Sequence, residues 1–330
     1  MPELTLEQAE RLVVGALTRC RTSPENAKSV ARALVGAEAE GLKGHGLSRV
    51  PSYGAQAKAG KVDGFAEPTL AWPRPAVVAI DAQNGFAFPA LDMAVAALPR
   101  AATKIGLAAA SIRRSHHAGA AGHPVERLAE AGLVALMFAN TPAAIAPWGG
   151  ARATFGTNPI AFACPLPGRP PIVVDLSLSK GTRGNILAAW QKGEAIPAGW
   201  ALDAQGQPTT DPEAALAGTM LPLGDAKGTA LALMVELMAG GLTGANFASD
   251  ASSFLDADGP PPGTGQLLVA FDPEAFGGPG TLAHFADLAG QIESQPDARL
   301  PGARRRALRD KARRDGISIT QAQLAAIAAV

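Results

Sequence analysis

Histidine is scarce in this sequence, and four of its five copies lie in two short segments rich in Gly and Ala, residues 43–49 and 115–123. The ordinary pKa of histidine lies close to neutral pH, so its side chain exchanges protons readily. His45 precedes Arg49 by four residues, and the two share one face if this segment is helical. Because a guanidinium grips a carboxylate through two parallel hydrogen bonds, the pair predicts a proton donor beside a carboxylate clamp. That is the equipment for reducing a 2-oxo acid.

Each histidine has an alternative interpretation as a structural or surface residue. In the second segment, only alanine and glycine separate His117 from His123, and a serine precedes His116. A metal site needs several ligands from His, Cys, Asp or Glu, and the segment 115–123 contains no acidic residue. We therefore expect no bound metal.

Other polar residues stand in turn-like clusters. Thr157 and Asn158 follow a glycine, and residues 175–177 end a short apolar run. Lys227 lies in the turn 222–228, at the start of a long apolar pattern. Ligands of α/β proteins bind at the carboxyl ends of strands, so these clusters predict contacts to a polar ligand. Purely structural turns are the alternative.

Composition and missing motifs exclude several classes of protein. The chain has 330 residues with 29 basic and 29 acidic side chains, and this balance argues against nucleic-acid binding. The phosphate-binding motifs G-x-G-x-x-G and G-x-x-x-x-G-K-[ST], the hydrolase motif G-x-S-x-G and the zinc motif H-E-x-x-H are absent from the sequence. We expect the two cysteines, Cys20 and Cys164, to be buried thiols. With neither a secretory leader nor a membrane-spanning run, the sequence predicts a cytoplasmic protein without a membrane partner.

Helical and strand patterns alternate along the chain. Thr5 and Gln8 form a capping-box pattern at a helix start, and a second helix is predicted from Pro24 to Glu40. Further helical patterns cover residues 89–105 and 124–131. Short apolar runs bounded by turn residues predict strands at 76–80, 108–112, 134–138, 172–174 and 265–271. This alternation predicts an α/β layer architecture.

Two more helical patterns have unusual side chains. Residues 227–242 are apolar on most sides, which predicts a buried helix. Residues 304–314 contain seven basic side chains and one acid, Asp310. A solvated helix face is one interpretation of this run, and an edge that binds an anion such as a cofactor phosphate is the other.

Taken together, these segments resemble the malate/L-lactate dehydrogenase family, whose NAD(P)-binding fold is not the Rossmann fold. Its members include sulfolactate dehydrogenases, ureidoglycolate dehydrogenases and reductases of piperideine- or pyrroline-2-carboxylate. The resemblance covers nearly the whole chain in the family's order. It is carried by GHGLSRVPSY (44–53), SHHAGAAG (115–122), NTPAAIAPWGG (140–150), FGTNPIAFACP (155–165), VVDLSLSKGTRG (173–184), IPAGWALDAQGQPTTDP (196–212) and PLGDAKGTALALMVELMAGGLTGA (222–245).

The resemblance implies an α/β, non-Rossmann NAD(P)-binding fold with helical N- and C-terminal segments. Residues 1–70 are expected to form a helical segment that contains the catalytic histidine and packs with residues 285–330. Residues 71–284 are expected to form the α/β body that binds cofactor and substrate. The resemblance also implies a homodimer, with NAD or NADP bound close to the subunit interface.

Roles follow by position from the resemblance. His45 matches the catalytic acid/base, and Arg49 matches the clamp for the substrate carboxylate. Thr157, Arg183 and Gly184 match positions near the substrate. The positions that match the cofactor lining are His117, Ala118, Gly119, Ala120, Ala121, Asp175, Leu176, Ser177, Lys227, Pro301, Gly302 and Ala303.

The sequence departs from the family's motifs at a few positions. Gly44 stands where many relatives have the serine of a Ser-His-Asp relay, and Asn185 stands at the position of its aspartate in imine reductases. A neutral amide does not stabilise an imidazolium as a carboxylate does, so we expect an incomplete relay. Ala118 replaces a phenylalanine common in relatives, which predicts a wider pocket. Asp225 replaces a glycine two residues before Lys227.

The resemblance predicts an NAD(P)-dependent oxidoreductase that interconverts a small 2-oxo acid and its 2-hydroxy acid, of the malate, lactate or sulfolactate type. Residues 177–180 and 200–203 are closest to the sulfolactate branch. The alternative within the family is an NAD(P)H-dependent cyclic-imine reductase acting on pyrroline- or piperideine-2-carboxylate. A relative that binds cofactor without catalysis is the alternative from another class, and Gly44 and Asn185 motivate it.

Overall fold

The structure is a computed structural model and describes residues 3–330. Its helices are α1 (Leu6–Arg19), α2 (Pro24–Ala39), α3 (Val50–Ala59), α4 (Ala87–Ile105), α5 (Gly122–Glu130), α6 (Arg183–Lys192), α7 (Pro212–Ala217), α8 (Asp225–Val235), α9 (Pro273–Gly277), α10 (Thr281–Glu293), α11 (Ala303–Asp315) and α12 (Gln321–Ala328). Its strands are β1 (Glu3–Leu4), β2 (Thr69–Arg74), β3 (Val77–Asp81), β4 (Leu107–Ser115), β5 (Val134–Ala139), β6 (Ile160–Leu166), β7 (Arg169–Leu176), β8 (Ala201–Leu202), β9 (Pro208–Thr209), β10 (Thr219–Met220), β11 (Thr264–Phe271) and β12 (Ile317–Ser318). Two 3₁₀ turns (Lys43–His45 and Leu47–Arg49) and a π-helical turn (Glu236–Gly241) complete the regular structure of this range.

The centre of the molecule is a seven-stranded mixed sheet in the order β2-β3-β4-β11-β5-β6-β7. β3 and β4 run parallel, and the other neighbouring strands run antiparallel. Helices α4 and α5 cover one face over a core that includes Ala110, Ile112 and Leu128. The other face packs against α8 and the π-helical turn through Phe138, Leu267 and their neighbours. The predicted α/β layer architecture is confirmed.

Local sequence signals locate most elements correctly. The predicted capping box is present at α1, where Gln8 N–H donates to Thr5 Oγ1 at 3.2 Å and Thr5 N–H donates to Gln8 Oε1 at 2.8 Å. Each predicted strand is present, with ends that differ by a few residues, as β3, β4, β5, β7 and β11. Cys20 and Cys164 are buried free thiols, as expected. No helix within residues 3–330 has the length and apolar character to cross a membrane.

The two ends of the chain meet in a helical layer beside the sheet. Strand β1 pairs antiparallel with β12, and Glu3 lies opposite Ser318. Helix α12 packs on α1 and α3, while α11 packs on α2. Val13, Leu34 and Ile327 belong to the shared apolar core of this layer. These contacts join the two segments of the predicted 1–70 and 285–330 unit, and the division at those boundaries stays a prediction.

The prediction of a buried helix over 227–242 is wrong for this chain. The α-helix ends at Val235 and continues as the π-helical turn, and one side of this segment, with Ala232, Val235 and Ala239, faces the sheet. Leu237 is 53% exposed and Leu242 is 66% exposed, and Leu231, Leu233 and Met234 are also exposed. An apolar pattern on all sides does not distinguish a helix inside one chain from a helix whose outer face lacks a partner within that chain.

Candidate active site

His45 and Arg49 lie in the tight entry to α3. The two 3₁₀ turns run directly into this helix, and the buried Glu38 of α2 holds them in place. Glu38 accepts a hydrogen bond from Leu47 N–H at 2.9 Å and forms an ion pair with Lys43. A Cβ at position 46 would lie 2.1 Å from the Glu38 carboxylate, so this position requires glycine. The glycines of the segment therefore serve close backbone packing as well as access for a ligand.

The Arg49 side chain folds back over the turn that contains His45. Its Nε donates to the Gly44 carbonyl at 2.6 Å. Its two terminal nitrogens have no protein partner within residues 3–330 and are not enclosed. They are therefore free to form the paired hydrogen bonds that a carboxylate accepts.

His45 is only partly exposed and is uncharged near neutral pH. Desolvation by burial, and secondarily the charge of Arg49, lowers its pKa from 6.5 to about 4, while Asp175 opposes the shift. Its Nδ1 is enclosed without a hydrogen-bond partner among the described residues, whereas Nε2 is not enclosed. A neutral imidazole with one open nitrogen accepts a proton from a bound hydroxyl group. No described carboxylate hydrogen-bonds to His45 within this single chain, and the incomplete relay stays a prediction.

His117 lies face to face with His45. The ring centroids are 5.1 Å apart, with an angle of 17° between the planes. The hydroxyl of Tyr53 lies 2.6 Å from His117 Nδ1, and the Phe254 ring packs against the other side with centroids 5.3 Å apart. Neither Tyr53 nor Phe254 was predicted as a site residue. Tyr53 is the only tyrosine of the chain, and this is only a weak indication of a special role. The sequence around Phe254 contains no motif that indicates a site.

His116 and His123 are not part of the stacked His45–His117 pair. His116 is fully enclosed and bonded to Gln56, with 2.6 Å between its Nε2 and Gln56 Oε1. His123 Nε2 lies 3.1 Å from a carboxylate oxygen of Glu40. These histidines therefore have structural partners of their own.

Segments matched to the cofactor lining converge beside His45. Asp175 Oδ2 accepts hydrogen bonds from Gly122 N–H at 2.9 Å and from Arg305 at 3.0 Å. These bonds tie the end of β7 to the start of α5, just after residues 117–121, and to α11. The turn 301–303 lies against the same strand, because a Cβ at Gly302 would be 3.1 Å from the Val173 carbonyl. Residues 117–121, 175–177 and 301–303 thus surround one region.

The basic helix α11 is more than a solvated face. Arg305 pairs with Asp175, and Arg309 pairs with Glu40 and Glu126. The buried Nε atoms of Arg306 and Arg309 have no partner within the described range. This side of α11 lies near Gly122 and Gly302. Nη1 of Arg306 has no partner among residues 3–330 and is not enclosed, so it suits an anionic ligand.

A cavity of about 660 Å³ opens next to this region. It lies between α2, α4, α5 and α11, and Ala118, Ala120 and Phe88 contribute to its walls. Its rim is charged, with Arg32, Arg127 and Arg309 balanced by acidic side chains. Its volume is within the range of small-molecule sites.

The remaining predicted site residues are Thr157, Arg183, Gly184 and Lys227. Thr157 bonds through its N–H to Thr141 Oγ1 at 2.9 Å, and its carbonyl accepts from Leu178 N–H at 2.8 Å, which places it beside segment 175–177. Ser177 Oγ lies 2.8 Å from Ser179 Oγ. Leu176 is exposed, as are Lys227, Arg183 and Gly184.

Arg183 and its neighbours do not reach the histidine pair within this chain. Nη2 of Arg183 donates to the Leu216 carbonyl at 3.2 Å, so its side chain extends toward α7. Asn185 is likewise exposed at the start of α6. The structure therefore brings together His45, Arg49 and the three cofactor-matched segments, with Thr157 adjacent. It leaves Arg183, Gly184 and Lys227 on an open surface.

The chain matches the family model for malate/L-lactate dehydrogenase over residues 4–328. It is 51% identical over 306 residues to a (2R)-3-sulfolactate dehydrogenase (NADP(+)) of Chromohalobacter salexigens, which covers 93% of this chain and 91% of the relative. It is 39% identical to a Δ1-pyrroline-2-carboxylate reductase of Ancylobacter novellus over 99% of this chain and 97% of the relative. The crystal structure of a Δ1-piperideine-2-carboxylate reductase from Pseudomonas syringae matches with a TM-score of 0.93, at 39% identity and 99% coverage of both chains.

The fold and the site define an α/β enzyme of the non-Rossmann dehydrogenase type. The chain belongs to the malate/L-lactate dehydrogenase family. The family resemblance found in the sequence motifs is therefore confirmed, and the chain is an oxidoreductase.

Proposed function

We propose that this NAD(P)-dependent oxidoreductase interconverts 3-sulfolactate and its 2-oxo acid, sulfopyruvate, with NADP as the preferred cofactor. The class of the enzyme follows from the family and from its dehydrogenase and reductase relatives. The observation that carries the proposal is the free fork of Arg49 beside the open Nε2 of His45. The substrate and cofactor preference is supported by the 51% identity to the NADP-dependent sulfolactate enzyme.

The residues around Gly122, Asp175 and Gly302 fit a bound dinucleotide. Gly122 and Gly302 keep two backbone turns close to Asp175 and Val173, where side chains would crowd the region. Asp175 Oδ1 has no protein partner within residues 3–330 and is available to a ribose hydroxyl. Nη1 of Arg306 has no protein partner within residues 3–330 and is not enclosed, so it suits a phosphate group. A nicotinamide cofactor held by these residues would supply or accept the hydride at C2 of the substrate.

His45 performs the proton transfer in this proposal. During oxidation of the hydroxy acid, neutral His45 accepts the hydroxyl proton at Nε2 as the C2–H bond breaks. In the opposite direction His45 must first be protonated, yet burial and the charge of Arg49 lower its pKa to about 4 in the free protein. A bound carboxylate and sulfonate offset the Arg49 charge and raise that pKa, because nearby negative charge favours imidazolium. A substrate with two negative charges therefore favours the protonated form of His45, which is the acid that the reduction needs.

A cyclic-imine reductase is the second candidate. It is supported by the relatives at 39% identity, including a solved structure with a TM-score of 0.93. Against it stands the unpartnered Nδ1 of His45, because the Ser-His-Asp relay expected of imine reductases is not assembled among residues 3–330. Gly44 offers no side chain to that relay, and the Asn185 side chain is exposed on α6.

We also propose that the chain forms a homodimer through the exposed apolar face of α8 and the π-helical turn. Leu231, Met234 and Leu237 are exposed there, with Leu223 and Phe247 close to them in sequence. Exposed apolar side chains concentrated on one element mark a protein interface more often than open surface. A partner on this face would approach Lys227, Arg183 and Gly184, which the single chain leaves exposed. A cytoplasmic location stays a prediction from the sequence.

A substrate panel tests the proposed function. Purified protein is mixed with NADPH or NADH and with sulfopyruvate, oxaloacetate, pyruvate or Δ1-pyrroline-2-carboxylate, and the absorbance of the reduced cofactor is followed. We expect the highest kcat/KM for sulfopyruvate with NADPH. Turnover of the imine alone would refute the proposal in favour of the second candidate. NADPH binding without turnover of any compound, including sulfolactate with NADP⁺, would contradict both.

A further inference from the structure

The inner face of α3 forms hydrogen bonds with both histidines of the segment 115–122. Tyr53 and Gln56 are three residues apart on this helix, so they lie on one face, and both are fully buried. Tyr53 Oη lies 2.6 Å from His117 Nδ1, and Gln56 Oε1 lies 2.6 Å from His116 Nε2. One helix thus presents one polar group to each imidazole in an otherwise apolar wall.

The direction of the Tyr53–His117 hydrogen bond follows from the available partners. Burial raises the pKa of Tyr53, so its hydroxyl keeps its proton. Among residues 3–330 the only acceptor within reach of that proton is His117 Nδ1. If Nδ1–H donated instead, the tyrosine O–H would be buried without an acceptor, which is costly. The hydroxyl therefore donates, Nδ1 accepts, and the imidazole proton resides on Nε2.

The second ring nitrogen of His117, Nε2, is accessible to a ligand. It has no hydrogen-bond partner within the described range and is not enclosed. The stacked His45 ring, 5.1 Å away, also has its Nε2 open. The two imidazoles are thus neighbouring polar groups at one opening, and only His117 has a partner that sets its tautomer.

We propose that Tyr53 is a positioning residue that holds His117 as the Nε2–H tautomer, so that His117 donates a hydrogen bond to a carbonyl-type oxygen of the bound cofactor or substrate. The proposal rests on the proposed function, because that function places both ligands beside His45. Desolvation and the charge of Arg49 keep the pKa of His117 well below 6.5, so its ring stays neutral while His45 exchanges protons. In the other tautomer, the lone pair on Nε2 would repel the same oxygen.

The surrounding wall keeps the His117 ring in this orientation. Phe254 packs against His116 and His117 with centroid distances of 5.0 and 5.3 Å, and its carbonyl accepts from Gln56 Nε2 at 2.8 Å. The loop that follows is held by the buried Lys61, whose Nζ donates to the Asp258 carbonyl at 2.6 Å. Rotation of the His117 ring would displace Phe254 and break the bond to Tyr53, so the tautomer and the orientation are fixed together.

Nitrogen NMR of protein labelled with ¹⁵N at histidine measures the tautomer directly. We expect wild-type His117 to show an unprotonated Nδ1 and a protonated Nε2 between pH 6 and 8. Tyr53→Phe keeps the ring but removes the hydroxyl, and we expect both tautomers to become populated. A wild-type spectrum with the proton on Nδ1, or an unchanged His117 spectrum in Tyr53→Phe, would overturn the proposal. This readout needs no turnover, so it stays decisive even if the proposed substrate is wrong.

Binding assays identify the acceptor oxygen. Tyr53→Phe should weaken the affinity for one ligand by about threefold to tenfold, the value of one neutral hydrogen bond. A rise in the NADPH dissociation constant, measured by fluorescence, assigns the oxygen to the cofactor. A rise in the substrate KM at unchanged NADPH affinity assigns it to the substrate. If both constants are unchanged, His117 donates to neither ligand and the proposal fails.

Amide replacements of His117 separate positioning from general loss of structure. His117→Gln places an amide nitrogen near the Nε2 position, whereas His117→Asn places it near Nδ1. We expect the glutamine variant to bind the ligand more tightly than the asparagine variant, and Tyr53→Phe to cause no further loss in the glutamine background. Gln56→Met is the control, because it breaks the hydrogen bonds to His116 and to the Phe254 carbonyl in the same wall but leaves the Tyr53 hydroxyl on His117 in place. It should leave the His117 tautomer unchanged, and a shift as large as in Tyr53→Phe would show general loosening instead.

Discussion

Acidification should destabilise this protein well above the titration range of its carboxyl groups, because buried histidines are held neutral. Burial and nearby positive charge lower the pKa of His45 to about 4 and that of His116 to about 3, from 6.5 in each case. For His116 the hydrogen bonds explain the direction. Gln56 Nε2 donates to the Phe254 carbonyl, so Gln56 Oε1 accepts from His116 Nε2–H. A proton added at the enclosed, unpartnered Nδ1 would find no acceptor.

The size of the effect follows from the linkage between proton binding and folding. The unfolded chain takes up a proton on each of these histidines below pH 6.5, whereas the folded chain does not until the pH approaches its lowered pKa. Stability is therefore complete above pH 6.5 and falls as the pH decreases. Between pH 8 and pH 5 each histidine removes about 2 kcal/mol from the free energy of unfolding, or about 4 kcal/mol for the pair. His117, whose pKa is also lowered, acts in the same direction.

Urea unfolding followed by tryptophan fluorescence at pH 8, 7, 6 and 5 measures this loss. The range stops at pH 5, so that carboxyl groups contribute little. His116→Gln retains a side-chain donor for Gln56 but does not titrate, and it should lose about 2 kcal/mol less than the wild type over this range. His284→Gln is the matched control, because His284 is exposed and meets water in both states. Less than about 1 kcal/mol of change in the wild type, or equal pH dependence in both variants, would refute the assignment of these histidines as buried and neutral.

Three further predictions concern catalysis and assembly. His45→Ala should lower kcat by about 10²–10⁴-fold, the usual value of general acid–base catalysis. Its NADPH affinity, measured by fluorescence titration, should stay nearly unchanged, and full activity would exclude His45 as the proton carrier. Arg49→Lys should raise the substrate KM by about tenfold or more, because lysine cannot reproduce a paired, charge-assisted hydrogen bond, and unchanged kinetics would place the carboxylate elsewhere. Leu237→Glu places a charge in the exposed apolar face of α8 and the π-helical turn, and light scattering coupled to gel filtration should show monomers. Leu288→Glu, at a similarly exposed leucine of α10, should retain the dimer. A dimeric Leu237→Glu protein would locate the interface on another surface.

Much of the fold was accessible from local sequence patterns. The Thr5–Gln8 capping pair started a helix where predicted, since both hydrogen bonds join residues three apart. The apolar runs bounded by turn residues became strands of the central sheet. The same patterns did not determine whether an apolar helix face packs against other residues of the same chain. Leu237 and Leu242 look like core residues in sequence, yet they are exposed here, because covering them requires a surface that the single chain does not supply.

The sequence by itself determined the chemistry available to the site, through His45, Arg49 and the glycine-rich segments around them. Only the tertiary structure decided which distant groups act on that chemistry. Tyr53 meets His117 across 64 positions of sequence, and Arg305 meets Asp175 across 130. No periodicity encodes such pairs, because they form only when the sheet brings its strand ends beside α3 and α11. Burial has the same origin, since the exclusion of water that keeps these histidines neutral is a property of the packed site and not of any segment alone.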